Sequence, residues 1–165
     1  MEKRSKERAL ELEIYTDGSL KKIDDKTFGG WAFIAVKDSQ VQEIEADHTC
    51  DTTNQRMELT AIVYALQYAS HHRKENERVV IYSDSAYIVN CYLEEWYIKW
   101  LDNNWMTSKN QPVANQDLWE KIIPYFDNFW YTFKKVDGHN GVYWNEQADE
   151  AAQAQADLIK KEFRG

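Results

Sequence analysis

The chain has 165 residues, of which 43% are hydrophobic and 14% aromatic, with only six Gly and two Pro. This composition excludes a disordered chain and suffices for one domain with a substantial core. The formal net charge of -8 argues against a nucleic-acid partner, because such partners usually require a basic face. Net charge is a bulk property, however, and local clustering of basic residues can overrule it.

The N-terminal segment and the cysteines indicate the cellular compartment. Residues 1–10 form a charged N-terminal leader without an apolar segment, and no stretch approaches the length of a membrane span. Cys50 and Cys91 match no metal-binding spacing, and we expect both to be buried, reduced thiols. We therefore expect a cytoplasmic monomer with no membrane contact and no obligate protein partner, and a single domain over 11–162.

Hydrophobic periodicity predicts an α/β protein. Strands are predicted at 11–17, 30–36, 41–47, 78–84 and 130–136, and helices at 52–70, 85–101, 115–123 and 143–162. In the first helix the apolar residues fall on one face, and Thr52 with Gln55 is typical of a capping box. A short turn after 30–36 indicates antiparallel pairing with the next strand, whereas helical connections allow parallel pairing elsewhere. The sheet should be mixed, with helices on both faces.

Two strands end in nearly the same letters, IYTDG at 14–18 and IYSDS at 81–85. Singly, Asp17 and Asp84 could be local turn or helix-capping residues. Two further acids, Glu58 and Asp149, lie beside alanines in predicted helices, where an unpaired carboxylate is costly. Because parallel strands place their carboxyl ends on one edge of the sheet, the four acids are expected to converge there.

Converging carboxylates repel each other, so they must either share protons or bind cations. Oxygen-only ligands favour Mg²⁺ or Mn²⁺ over zinc. Two such ions about 4 Å apart are the usual apparatus of in-line phosphoryl displacement. The pattern therefore predicts metal-dependent phosphoryl chemistry.

Five runs in this order resemble the type 1 ribonuclease H family. They are YTDGS (15–19), TTNQRMEL (52–59), YSDSAY (82–87), PVANQDLW (112–119) and DGHNG with NEQAD (137–149). The resemblance covers about residues 11–157 and marks the same four acids as metal ligands. It implies a three-layer α/β/α, RNase H-like fold with a five-stranded mixed sheet. It also implies a two-Mg²⁺ endonuclease that cuts the RNA strand of an RNA–DNA hybrid, leaving 5′-phosphate and 3′-hydroxyl ends.

The resemblance assigns further residues one by one. His139 matches the family's mobile histidine, which assists proton transfer or product release. Asn54 and Gln55 match amides that read the hybrid from its minor groove, although Gln55 could serve only as a cap. The implied substrate-binding residues are Gly18, Ser19, Thr53, Asn54, Gln55, Trp96, Trp100 and Asn145.

The chain also departs from the family pattern. Segment 19–30, expected to be a loop, carries lysines and aspartates instead of the family's glycine and proline, and Ala86 replaces a common glutamine. The segment 94–109, here called the handle, has two lysines against three acids, a net charge of 2 − 3 = −1. Its Trp96 and Trp100 could contact substrate or could be plain core.

Several alternatives share some of these features. Integrases, transposases and junction resolvases use carboxylate clusters, but TTNQRMEL and GHNG disfavour them. A nuclease domain of a reverse transcriptase is another possibility, although the start at Met1 with a charged leader favours a free-standing enzyme. A non-catalytic hybrid-binding module predicts a missing acid and a more basic face. An acidic Ca²⁺-binding module requires alternating acids with a glycine, which no segment offers.

Overall fold

The structure is a computed structural model that describes residues 11–136 and 142–164. In chain order its elements are β1 (Glu11–Ile23), β2 (Lys26–Lys37), β3 (Gln40–Cys50), α1 (Asn54–His72), β4 (Arg78–Ser83), α2 (Ala86–Leu93), α3 (Trp96–Asp102), α4 (Gln116–Ile122), β5 (Tyr131–Lys135) and α5 (Val142–Arg164). A 3₁₀ turn, Ile123–Tyr125, follows α4.

The five strands form one mixed sheet in the order β3-β2-β1-β4-β5. β2 pairs antiparallel with β1 and β3, whereas β4 pairs parallel with β1 and β5. Alternate residues of β2 enter two separate cores. Phe33 belongs to the core that contains Leu59 of α1, whereas Ile34 packs in a second cluster with Ala148 of α5. The predicted α/β class, with helices on both faces of a mixed sheet, is confirmed.

The first hairpin is longer than the sequence predicted. Pairing of β1 with β2 continues to Ile23 opposite Lys26, and Asp24, with φ 52°, lies in the turn between them. The expectation of a loop at 19–30 was therefore wrong. The far part of this ribbon is half-buried to exposed, so it can include lysines and aspartates without the strict apolar alternation that marks a strand in a core.

The predicted helix 85–101 is two helices. α2 ends at Leu93, and Glu95 adopts a left-handed conformation with φ 57° that interrupts the helix before α3 begins at Trp96. The cysteine prediction held for Cys91, which is buried, but was wrong for Cys50, which lies exposed at the end of edge strand β3.

Helix α5 lies close to the sheet because both surfaces carry small residues. Ala148, Ala152 and Ala156 are completely buried. A Cβ added at Gly30 of β2 would meet the backbone of α5 at the Ala152 oxygen and the Ala156 nitrogen. Gly30 therefore sets the distance between β2 and the helix that carries Asp149. Neither α5 nor another helix of the described residues is long and apolar enough to cross a membrane.

Gly30→Ala should destabilise the protein, because the new methyl group would force α5 away from β2. Overpacking of this kind typically costs about 1–3 kcal/mol in the free energy of unfolding. Chemical denaturation measures the change. Lys26→Ala, at an exposed position of the same strand, is the control and should stay within about 0.5 kcal/mol of the parent. If Gly30→Ala had the same free energy of unfolding as the parent, the packing of α5 would not depend on this close contact.

Candidate active site

Asp17 and Asp84 occupy equivalent places beyond the parallel pairing of β1 with β4. The last parallel pair is Tyr15 with Tyr82, and each acid stands two residues after it. The prediction that β1 ends at Asp17 was wrong, since β1 continues and Asp17 pairs with Ala32 of β2. Only β4 ends there, so Asp84 is exposed whereas Asp17 is 4% exposed.

The hydroxyl residue before each acid fixes the backbone around it. Thr16 donates from Oγ1 to the carbonyl oxygen of Tyr82 at 2.8 Å. Ser83 accepts on Oγ from the N–H of Ser85 at 3.1 Å. Ser85, rather than Asp84, caps α2 by accepting from the N–H of Ile88 at 3.3 Å. The helix-capping role considered for Asp84 therefore belongs to Ser85.

Glu58 reaches the same place from the first turns of α1. The cap is one residue later than predicted: Thr53 accepts from the N–H of Arg56 at 3.1 Å, and Thr52 instead bonds to Thr27. A Cβ at Gly18 would lie 2.5 Å from the backbone nitrogen of Glu58. Gly18 thus lets β1 touch the start of α1, which brings Glu58 beside Asp17.

The three side chains form one cluster. Carboxylate oxygens of Asp17, Glu58 and Asp84 all lie within 4.8 Å of one another. Asp149, half-buried on α5, lies outside this group of three, but its carboxyl group is near enough to Asp17 to raise the pKa of Asp17. The structure therefore gathers all four predicted acids, three as a cluster and the fourth through Asp17.

Burial and crowding raise the proton affinity of Asp17 and Glu58. Burial raises the pKa of Asp17 to about 9, with the charge of Asp84 and the hydrogen bond to Asp149 adding to the effect; the Gly18 N–H, donating to Oδ1 at 2.9 Å, acts against it. Burial and the charge of Asp84 raise the pKa of Glu58 to about 7. Among the described residues, no cationic side chain contributes to the pKa of Asp17 or Glu58, and carboxylate oxygens are the ligands of hard divalent cations. These residues therefore fit a divalent metal.

A second network, beside the acids, was not predicted. Asn115, in a left-handed conformation with φ 62°, donates from Nδ2 to Gln55 Oε1 at 3.1 Å. It also accepts on Oδ1 from Arg56 Nη1 at 3.2 Å. Arg56 forms a two-pronged ion pair with Asp117, at 3.0 and 2.6 Å. The network ties the loop before α4 to the first turn of α1 and fixes the amide of Gln55.

The handle forms a groove of about 500 Å³ with α2. It is lined by Tyr87, Trp96, Lys99, Trp100, Asn103, Met106, Thr107 and Ser108. Trp100 is 9% exposed and belongs to the core, and Trp96 packs against the same core. The two interpretations of Trp96 and Trp100, as core residues and as substrate contacts, are therefore compatible, since both residues pack in the core and also line the groove.

The remaining predicted residues are scattered around the acids. Thr53 and Asn54 are exposed at the start of α1, Ser19 is buried in β1, and Asn145 is half-buried one turn before Asp149. His139 and its loop lie outside the described residues.

Sequence comparison agrees with the geometry. Residues 9–157 match the sequence model of the family described as RNase H. A Ribonuclease H from Syntrophomonas wolfei is 40% identical over 143 residues, which cover 87% of this chain and 94% of the relative. A Ribonuclease H from Moorella thermoacetica is 37% identical over 152 residues, covering 92% and 95%. The chain belongs to the RNase H family. It is an enzyme, a ribonuclease H.

Solved structures show the same fold. The solution structure of the PFV RNase H domain superposes with a TM-score of 0.72 at 21% identity, covering 89% of this chain and 94% of that one. The crystal structure of RNase H1 from Halobacterium salinarum NRC-1 gives 0.62 at 17% identity, covering 89% and 98%. A foamy viral protease-reverse transcriptase, solved in complex with RNA/DNA hybrid, gives 0.78 at 18%, covering 88% of this chain and 20% of that one.

Asp17→Asn should stabilise the protein when a chelator removes divalent metal. The unfolded chain loses the Asp17 proton near the ordinary pKa of 3.8, whereas the folded protein keeps it until about pH 9. Unfolding therefore releases a proton between these values, and stability falls as pH rises through that window. Asparagine removes this penalty, so its gain in melting temperature should be larger near about pH 8 than near about pH 5.

The control is Asp157→Asn, which changes an exposed carboxylate on α5. It should show no such pH-dependent gain. Millimolar Mg²⁺ should raise the melting temperature of the parent by relieving the same repulsion. A gain for Asp17→Asn that is equal at both pH values would contradict the raised pKa.

Proposed function

We propose that this chain is an endonuclease that hydrolyses the RNA strand of RNA–DNA hybrids, with residues 11–162 as its catalytic domain. The observation that carries the proposal is the cluster of Asp17, Glu58 and Asp84 within 4.8 Å in a member of the RNase H family. The names of the curated relatives, and the hybrid bound to a structural neighbour, support the substrate class.

We assign two Mg²⁺ ions, with Mn²⁺ as the alternative, to Asp17, Glu58, Asp84 and Asp149. When bound, such ions activate the attacking water and stabilise the leaving oxygen of an in-line displacement, which here leaves 5′-phosphate and 3′-hydroxyl ends. The raised pKa values of Asp17 and Glu58 mean that the metal-free protein retains protons on these groups. Metal binding would therefore release those protons. His139 is assigned to proton transfer or product release.

Substrate recognition is assigned to hydrogen-bond donors beside the acids. Gln55 is held by Asn115 through its Oε1, and its NH₂ group, which also lies beside the Tyr87 hydroxyl, is assigned to the minor groove of the hybrid. Asn54 stands exposed next to it. The 2′-hydroxyl of RNA is the group that distinguishes the two strands. Gly18, Ser19, Thr53 and Asn145 complete the proposed contacts, and the groove of Trp96 and Trp100 takes the DNA strand.

Asp84→Asn should abolish hydrolysis while it leaves the fold and hybrid binding nearly intact. The change removes the charge of one metal ligand but preserves its shape. Labelled RNA–DNA hybrid, duplex DNA and duplex RNA, each incubated with Mg²⁺, measure activity and substrate class together. Only the RNA strand of the hybrid should be cut.

Asp157→Asn is again the matched control and should retain full activity. If Asp84→Asn kept more than about a few per cent of the parent's hydrolysis rate, Asp84 would not be a ligand of the catalytic metal ions. If the parent cut none of the three substrates, the proposed function itself would be wrong.

Hybrid binding should have a shallow salt dependence, because the handle carries −1 and offers few phosphate contacts. Asp102→Lys with Ser108→Lys should tighten binding and steepen the slope of log K against log salt by up to about 1.8. Both positions are exposed. Asn104, an exposed residue between them, is avoided because its left-handed backbone, with φ 51°, would be strained by a lysine. Binding titrations at several salt concentrations measure the slope.

The matched control adds the same charge elsewhere, with Ala154→Lys and Asp157→Lys on exposed positions of α5. It should change the slope much less. If the handle variant also leaves affinity and slope unchanged, the groove does not contact substrate, and Trp96 and Trp100 are only core residues.

A further inference from the structure

Asp149 is held differently from the other three acids. Asp17, Glu58 and Asp84 form a compact group, whereas Asp149 lies on α5, which packs on the sheet face opposite to α1, and its carboxyl group raises the pKa of Asp17. The backbone of α5 is fixed by completely buried alanines, Ala148 and Ala152, on either side of Asp149. The side chain of Asp149, being half-buried, needs a separate restraint.

Gln153 supplies a restraint from one helical turn further along α5. Its Nε2 donates to Asp149 Oδ2 at 2.9 Å, in a partly buried contact. The Asp149 carboxylate is therefore held by an amide on one side and meets Asp17 on the other. An amide orients the carboxylate without cancelling its charge, whereas a cationic donor would neutralise it and compete with a metal ion.

We propose that Gln153 is a positioning residue, which holds the Asp149 carboxylate in the orientation that completes the divalent-cation site. This inference rests on the proposed function. Partners that hydrogen-bond to metal-ligating groups typically contribute roughly 10–100-fold to metal affinity or activity, because they fix the direction of the ligand. Gln153 acts through Asp149 and does not itself contact the cation.

The ordinary explanation is helix stabilisation, since amide and carboxylate side chains four residues apart often pair on helices. The chain offers a direct comparison. Gln116 donates from Nε2 to Glu120 Oε1 at 2.7 Å on α4, with the same spacing but in an exposed contact. If Gln153 had only this role, removing either amide would have the same effect on metal binding, namely none.

Gln153→Met tests the inference, because methionine keeps the length and helix propensity of glutamine but removes the donor. Calorimetric titration of the protein alone with Mg²⁺ should show binding weakened by about tenfold. The Mg²⁺ concentration that half-saturates hybrid hydrolysis should rise by a similar factor, while kcat at saturating Mg²⁺ changes less. Gln116→Met should leave both quantities unchanged.

Gln153→Lys separates orientation from charge. Lysine keeps a donor near Asp149, so in chelator its melting temperature should exceed that of Gln153→Met. Its positive charge should nevertheless weaken Mg²⁺ binding relative to the parent. A lysine variant that bound Mg²⁺ as tightly as the parent would overturn the requirement for a neutral donor.

Failure of this inference can be distinguished from failure of the proposed function. Equal Mg²⁺ affinities for the parent and Gln153→Met, with Asp84→Asn inactive, would remove the role of Gln153 and leave the function intact. A parent that binds Mg²⁺ but cuts no hybrid would instead overturn the function, while the calorimetric comparison would still decide whether Gln153 orients Asp149.

Discussion

Asp17, Glu58 and Asp84 place like charges within 4.8 Å of one another, and the fold must hold them there against their repulsion. Ion pairs do not do this within the described residues. The pairs found there are Lys37–Glu77, His48–Asp47 and Arg56–Asp117. Backbone packing holds the acids instead, through the contact of Gly18 with the start of α1 and of Gly30 with α5. Each glycine brings a segment that carries an acid close to β1 or β2.

This arrangement makes the site a source of instability that a bound divalent cation would relieve. A buried carboxylate with a pKa of about 9 stays protonated at neutral pH because ionising it would cost more than keeping the proton. A divalent cation bound there would replace that proton and at the same time neutralise the carboxylate oxygens. Under the proposed function, the close contacts of Gly18 and Gly30 would keep the acids in place before a cation binds.

The sequence was sufficient to predict the fold class and the convergence of Asp17, Glu58 and Asp84. The motif runs carry local information, and buried strands and α1 have clear periodicity. The long hairpin escaped prediction because an exposed two-stranded ribbon needs no apolar pattern. The choice of Thr53 over Thr52 as the cap depends on Thr27, which engages Thr52 from β2. Contacts between distant segments were equally hidden.

The network of Gln55, Arg56 and Asn115 illustrates that last limit. Asn115 lies 60 positions after Gln55 in the chain. The PVANQDLW run pointed to this segment through resemblance alone. Only the fold reveals that the left-handed backbone at Asn115 lets its side chain hold both residues at the start of α1.

Under the proposed function, a chain with a net charge of -8 must bind a polyanion. Among the described residues that line the handle groove, Lys99 is the one cationic side chain, and the others are aromatic, thioether and uncharged polar side chains. Such walls favour stacking and van der Waals contact with sugars, interactions that salt screens only slightly. Divalent cations at the acids would offset part of the negative charge there. Catalysis would depend on those ions more than binding does, since the contacts in the groove do not involve them.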